Sequence, residues 1–215
     1  MDKKQVIETL AALRKEAKER KFTQAVELIV NLKDLNLKNP DDQVEFFTTL
    51  PHPFGKKKIC AIVGGELIDD AKKVCDLAIT QGDLEKYKKD KKASKKLAED
   101  YAYFIAQANI MGQIAGTFGR IFGPRGKMPN PKAGCVVPPK GSLQPLYDRL
   151  QSTIKISAKK FPVMQLAVGK LDMKDEDLAE NIVYLYDQIE HHLPKERHNV
   201  RGVVLKLTMG KPVRI

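Results

Sequence analysis

The chain opens on a helical period. Val6, Leu10, Leu13 and Ala17 recur at helical spacing with lysines and glutamates between them, which predicts an amphipathic helix over residues 3–19. From Phe22 the period shortens to two. Val26, Leu28, Val30 and Leu32 fall on one side and Glu27, Ile29 and Asn31 on the other, the pattern of a half-buried strand. The turn cluster Asn39-Pro40-Asp41-Asp42 follows, then a second strand near 44–50 that ends in Pro51-His52-Pro53-Phe54-Gly55.

Beyond Lys56-Lys57-Lys58 the pattern is different. Ile59 to Val63 is a continuous apolar run closed by Gly64-Gly65 and followed by helix-like residues 66–78, as in a buried parallel strand with its crossover helix. A lysine-loaded helix over 84–100, an apolar strand over 101–106, a helix around 109–118 and a short strand at 134–137 continue the alternation. From Thr153 the texture of the first part returns. Strands at 154–158 and 163–168 precede a helix with Leu178, Ile182, Leu185 and Ile189 on one stripe and Asp175, Glu176 and Asp177 in its first turn, where acids suit the helix dipole. A last strand, 200–208, alternates apolar and basic residues. The expected fold is α/β: an α+β domain built from residues 1–57 and 152–215, with a three-layer α/β domain, 58–151, inserted between them. The two crossings would form a double-stranded hinge.

Charge adds a partner. Thirty-eight Lys and Arg against 27 Asp and Glu give a net charge of +11 and a pI near 9.4. That balance suits a phosphate backbone, where each contact releases counterions. The excess is +2 in residues 1–57, +6 in 58–151 and +3 in 152–215, so the inserted domain is the most cationic by count. Much of this is one run, Lys86 to Lys96, with seven lysines in eleven residues, which reads as a solvated helix face. No apolar run is long enough to span a bilayer, the first residues do not resemble a signal peptide, and no membrane partner is expected. The odd set Cys60, Cys75 and Cys135 has no CxxC pair and reads as reduced and buried, pointing to the cytoplasm.

Catalytic and metal chemistry find little support. Gly126-Lys127 suggests a phosphate loop, but residue 121 is Ile where the first glycine belongs, and Met128 follows where a hydroxyl should bind magnesium. His52, His191, His192 and His198 have no metal-ligand spacing. No cofactor, metal or catalytic residue is expected. What the loop Gly119–Gly134 does offer is three stiffening prolines and the cations Arg120, Arg125, Lys127 and Lys132, either a rigid cap or a second nucleic-acid contact. A nucleotide-using enzyme and a general DNA-binding protein are the rival readings.

The motifs converge on a family. Phe22-Thr-Gln-Ala-Val-Glu-Leu28, Leu50-Pro-His52, Gly123-Pro-Arg-Gly-Lys-Met-Pro-Asn-Pro-Lys132, Ala167-Val-Gly-Lys170 and Thr208-Met-Gly210 occur in this order. Together they closely resemble the large-subunit ribosomal proteins that form the mobile L-one stalk, in their archaeal form. The resemblance covers essentially the whole chain. It implies a two-domain protein with an inserted Rossmann-like domain, monomeric when free. Its partners would be a stalk of large-subunit ribosomal RNA, exit-site tRNA and its own mRNA, whose translation it would repress. It places RNA contacts at Phe22, Glu27, Gly169, Lys170, Thr208, Met209 and Gly210. Gln165 stands where some relatives carry histidine, and charge extends the set to Lys211. Pro53-Phe54 departs from the family, which commonly has glycine there.

Overall fold

The computed structural model describes residues 1–139 and 141–215, all but Lys140. In chain order the elements are α1 (Lys3–Glu16), β1 (Ala25–Leu32), β2 (Val44–Thr49), β3 (Ile59–Val63), α2 (Ile68–Val74), β4 (Leu77–Thr80), α3 (Leu84–Lys89) and α4 (Lys91–Asp100). They continue with β5 (Tyr103–Gln107), α5 (Met111–Phe122), β6 (Val136–Val137), α6 (Gln144–Ser152), β7 (Thr153–Ala158), β8 (Val163–Lys170), α7 (Asp175–His192), β9 (Val200–Leu207) and β10 (Val213–Arg214). The fold is α/β, with antiparallel and parallel sheets in separate parts. The chain divides into two compact units: Met1–Gly55 with Ser152–Ile215, and Lys56–Gln151.

The unit made from both chain ends holds an antiparallel sheet in the order β10-β9-β1-β8 and a two-stranded sheet, β2-β7. The alternation in β1 has the predicted sense: Val26, Leu28, Val30 and Leu32 are buried, while Ala25, Glu27, Ile29 and Asn31 face outward. Helices α1 and α7 cover the buried face, and Val6, Leu10 and Leu13 join Leu178, Ile182, Leu185 and Ile189 in the core. Between β1 and β8 the register slips, with Val26 opposite Gly169 and Glu27 opposite Ala167, so Val168 is an extra residue. This bulge sets two consecutive residues, Val168 and Gly169, inward and carries the strand past its expected end at 168 to Lys170.

The other unit is a parallel sheet in the order β4-β3-β5-β6. Every residue of β3 is buried, as its unbroken apolar run requires. Three aromatic rings, Phe104, Phe118 and Phe122, pack at 4.3–4.6 Å between centroids to form the centre of its core. The lysine-loaded segment expected as one helix over 84–100 is two helices. Asp90 ends α3 and caps α4, its carboxylate accepting from the Lys92 and Ala93 N–H groups at 2.9 and 3.0 Å. Strand β4 takes the last two residues of the helix expected over 66–78 and runs on past it, and α6 was not expected from the sequence.

Candidate nucleic-acid interface

The site starts where β9 stops. Beyond Leu207, the Thr208 hydroxyl continues the ladder with its side chain: Ala25 N–H donates to Thr208 Oγ1 at 3.0 Å, and Thr208 N–H donates to the Ala25 carbonyl at 3.1 Å. The Met209 N–H donates to Gln24 Oε1 at 3.1 Å, and Gln24 Nε2 donates to the Lys18 carbonyl at 3.3 Å. The Gly210 N–H closes the turn on the Leu207 carbonyl at 2.9 Å. A Cβ at Gly210 would sit 3.0 Å from that of Leu207, so a bulkier residue would press on the turn. With its backbone pinned, Met209 stands 61% exposed, and Phe22 on the neighbouring segment is 52% exposed. Exposing two large apolar side chains next to cations is costly in water and useful against bases and sugars.

On the outward face of the sheet, Gln165 of β8 donates to Glu27 Oε2 at 2.8 Å, and Lys206 of β9 lies 3.7 Å from the same oxygen. The carboxylate is therefore flanked from both neighbouring strands. Its side chain is 16% exposed, and the one hydrogen bond from Gln165 leaves further acceptor sites on the carboxylate. Lys170 lies opposite Ala25 and extends over Gly55, where a Cβ would come within 3.5 Å of its Cε. Gly169 is buried. A Cβ there would meet Leu178 Cδ2 at 2.3 Å and Met173 Sδ at 2.9 Å, so α7 can lie close to β8 only over glycine.

Three cations that the sequence reading did not single out complete the surface. Lys18 and Arg20 share a cleft of about 440 Å³ with Gln24, Met209, Gly210 and Lys211. A second cleft, about 560 Å³, is lined by Lys21 and Phe22 as well as Arg14, Lys18 and Arg20. Arg14 fixes the adjoining turn: its guanidinium donates to the Leu171 and Met173 carbonyls, both at 2.6 Å, and to Asp175 Oδ1 at 2.7 Å. Gln24 could have been found from its place inside the Phe22-Thr-Gln motif. Lys18, Arg20 and Lys21 lie in a run with no period, which gives no sign of which way they face.

Two of the four cations of the segment Gly119–Gly134 are used internally. Lys127 Nζ donates to the Tyr101 and Ala102 carbonyls at 3.0 and 3.1 Å, and burial lowers its pKa. Arg125 bonds Glu99 at 2.9 Å and the Lys95 carbonyl at 3.3 Å. Arg120 and Lys132 are exposed. In open parallel sheets ligands enter where the strand order reverses, here between β3 and β5. That position is filled by the chain's own Gln107, 1% exposed, whose Oε1 accepts the Gly64 N–H at 2.6 Å. The buried Cys60, Cys75 and Cys135 thiols have pKa values raised by desolvation, the direction opposite to activation. Among the described residues no group of three or more His, Cys, Asp or Glu is placed to hold a metal ion, and no helix is long and apolar enough to cross a membrane.

Comparison with known proteins gives one consistent answer. The family described as "Ribosomal protein L1p/L10e family" matches residues 13–211. The chain is similar to the protein named "Large ribosomal subunit protein uL1" of Methanobrevibacter smithii, 43% identical over 213 residues and 98% of each chain. Its namesake from Methanothermococcus thermolithotrophicus is 38% identical over 100% of this chain and 99% of its own length. That of Nanoarchaeum equitans is 40% identical over 94% and 95%.

Proposed function

From the premise that the chain belongs to the ribosomal protein L1p/L10e family, we propose that its end-built unit binds the stalk region of large-subunit ribosomal RNA through the Thr208-Met209-Gly210 tip and the sheet face beside it. The coarser statement follows from the family alone: this is a structural, non-enzymatic protein of the large ribosomal subunit, of the archaeal type.

The observation that carries the RNA reading is the exposed Met209, its backbone bound to Gln24, with the exposed Phe22, among Lys18, Arg20, Lys21 and Lys211, which outnumber Glu16 and Glu19 in the same clefts. Each part has a task. The cations attract the phosphate backbone without reading it. Met209 and Phe22 offer surfaces on which bases and sugars pack. Glu27 accepts from an exocyclic amine or a 2′-hydroxyl. The Thr208 proton reaches the Ala25 carbonyl only at a long 3.3 Å, so a ribose 2′-hydroxyl offered there competes for it. That contact would separate RNA from DNA. Assistance to exit-site tRNA movement and repression of the protein's own mRNA belong to the same proposal, the second by presenting this surface with a copy of the ribosomal target. The free protein is taken as a monomer.

Filter binding tests the placement. Residues 1–55 joined to 152–215 should bind a transcript of the stalk region with nearly the affinity and specificity of the full chain. Specific binding that requires residues 56–151 would defeat the reading, and equal affinity for duplex DNA would favour the DNA-binding rival.

A further inference from the structure

The outward sheet face does not end at Glu27. Two residues further along β1 the row is Gln165, Ile29, Val204 and Arg214, and two further still it is Val163, Asn31 and Gly202. At about 3.3 Å per residue, this carries the surface some 13 Å from Glu27. The face ends in a cleft of about 440 Å³ whose lining includes Arg201, Arg214, Val163 and Asn31 and contains no carboxylate. Gly202 supplies a floor without a side chain, and the Arg214 guanidinium lies across it, 3.5 Å from where a Cβ would stand. Beside the cleft, the turn between β7 and β8 holds Lys160 and Phe161; Phe161 is 71% exposed and Val163 is 40% exposed.

No intramolecular role accounts for this combination. Phe161 is the most exposed of the large hydrophobic side chains, and it flanks Pro162, which lines the cleft. Two arginines without an acid in the cleft lining would repel each other unless an anion lay between them. A flat apolar strip edged by guanidinium groups matches an unpaired nucleotide stretch, with ring surfaces on the strip and phosphates on its edge.

We propose that this far end of the sheet is a second subsite for the same RNA, holding an unpaired stretch that flanks the segment bound at Thr208–Gly210. It rests on the RNA reading above and extends it in one direction, across β8, β1, β9 and β10. Continuity of the outward rows makes one nucleic acid the occupant. A protein partner would have to end at Ile29, where the face passes without a break into the Glu27 surface.

Binding of the full chain to a stalk-region transcript, titrated at several salt concentrations, separates the outcomes. Arg201→Ala with Arg214→Ala should lower the slope of log affinity against log salt by about 2. Phe161→Ala should weaken binding at least about fivefold, with thermal unfolding unchanged because the side chain is exposed. Met209→Ala is the reference for the first subsite. If it weakens binding while the Phe161 and arginine variants do not, the second subsite is overturned and the main reading stands. If all three bind as the parent does, the placement of the RNA fails altogether. Loss confined to the arginine pair, with Phe161→Ala silent, also overturns the subsite, because a generic phosphate field would explain it. So would unchanged RNA binding together with an altered oligomeric state, which would assign the face to protein contact.

Discussion

Thr208 and Met209 are neighbours with different work. The Thr208 hydroxyl holds Ala25 in the ladder, so Thr208→Ala should destabilise the end-built unit by about 1 kcal/mol in denaturant unfolding as well as weaken RNA binding. Met209 is exposed and holds Gln24 through its backbone N–H, which any residue supplies, so Met209→Ala should leave stability within about 0.5 kcal/mol and weaken RNA binding alone. From sequence the two looked equivalent, because a side chain that completes a strand ladder leaves no mark in the local pattern. Gly169 differs again. Gly169→Ala forces Leu178 and Met173 aside in a packed core and should cost about 1–3 kcal/mol, read as a lower unfolding midpoint. Its neighbourhood in Ala167-Val-Gly-Lys170 was legible as a motif; the close approach of Leu178 and Met173 to it was not.

At the scale of elements, α7 anchors the segment that leaves β2. The Asn181 carboxamide, fully buried, accepts the His52 N–H at 3.0 Å and donates to the His52 and Val168 carbonyls at 2.8 and 2.9 Å. Asn181→Ala leaves those backbone groups without partners and should cost about 1–3 kcal/mol by chemical denaturation. On the preceding residue, the Lys3 ammonium and then the His52 ring hold the Glu180 carboxyl at about 2, against an ordinary 4.5. A carboxyl lowered in the folded state stabilises above 4.5 and loses that contribution as pH falls from 4.5 towards 2. The gap in melting temperature between the parent and Glu180→Gln should therefore shrink over that window. It should also be small and salt-sensitive, since the group is exposed. Long periodic elements such as α1, β1 and α7 were legible because burial imposes their period. Strand β4, four residues beside a helix, was not. Nor was the break at Asp90, because a lysine-rich surface has no period to interrupt.

At the scale of the molecule, charge count and the proposed binding surface separate. The unit Lys56–Gln151 has the greater cationic excess, yet the exposed apolar pair and its cationic frame lie in the other unit. Replacing Lys86, Lys88 and Lys89 with glutamine should change affinity for the stalk transcript by less than about twofold at physiological salt, where exposed charges are screened within about 8 Å. A larger loss would give the lysine run a specific contact. The α/β class was legible because helical and strand periods alternate along the chain. The tip's geometry was not, since it depends on Gln24 meeting Met209, 185 positions away.

The pairing of β1 sets a timetable for synthesis. Ala25 needs Lys170 on one side, and Val26 needs Leu207 on the other. A ribosome adding about 5–20 residues per second finishes residues 56–151 roughly 1–4 s before Lys170 exists, and earlier still before Leu207. The inserted unit is contiguous and can close first, while α1, β1 and β2 wait as an unpaired strand segment of the kind chaperones shield. Residues 1–55 are thus made before the inserted unit and fold after it.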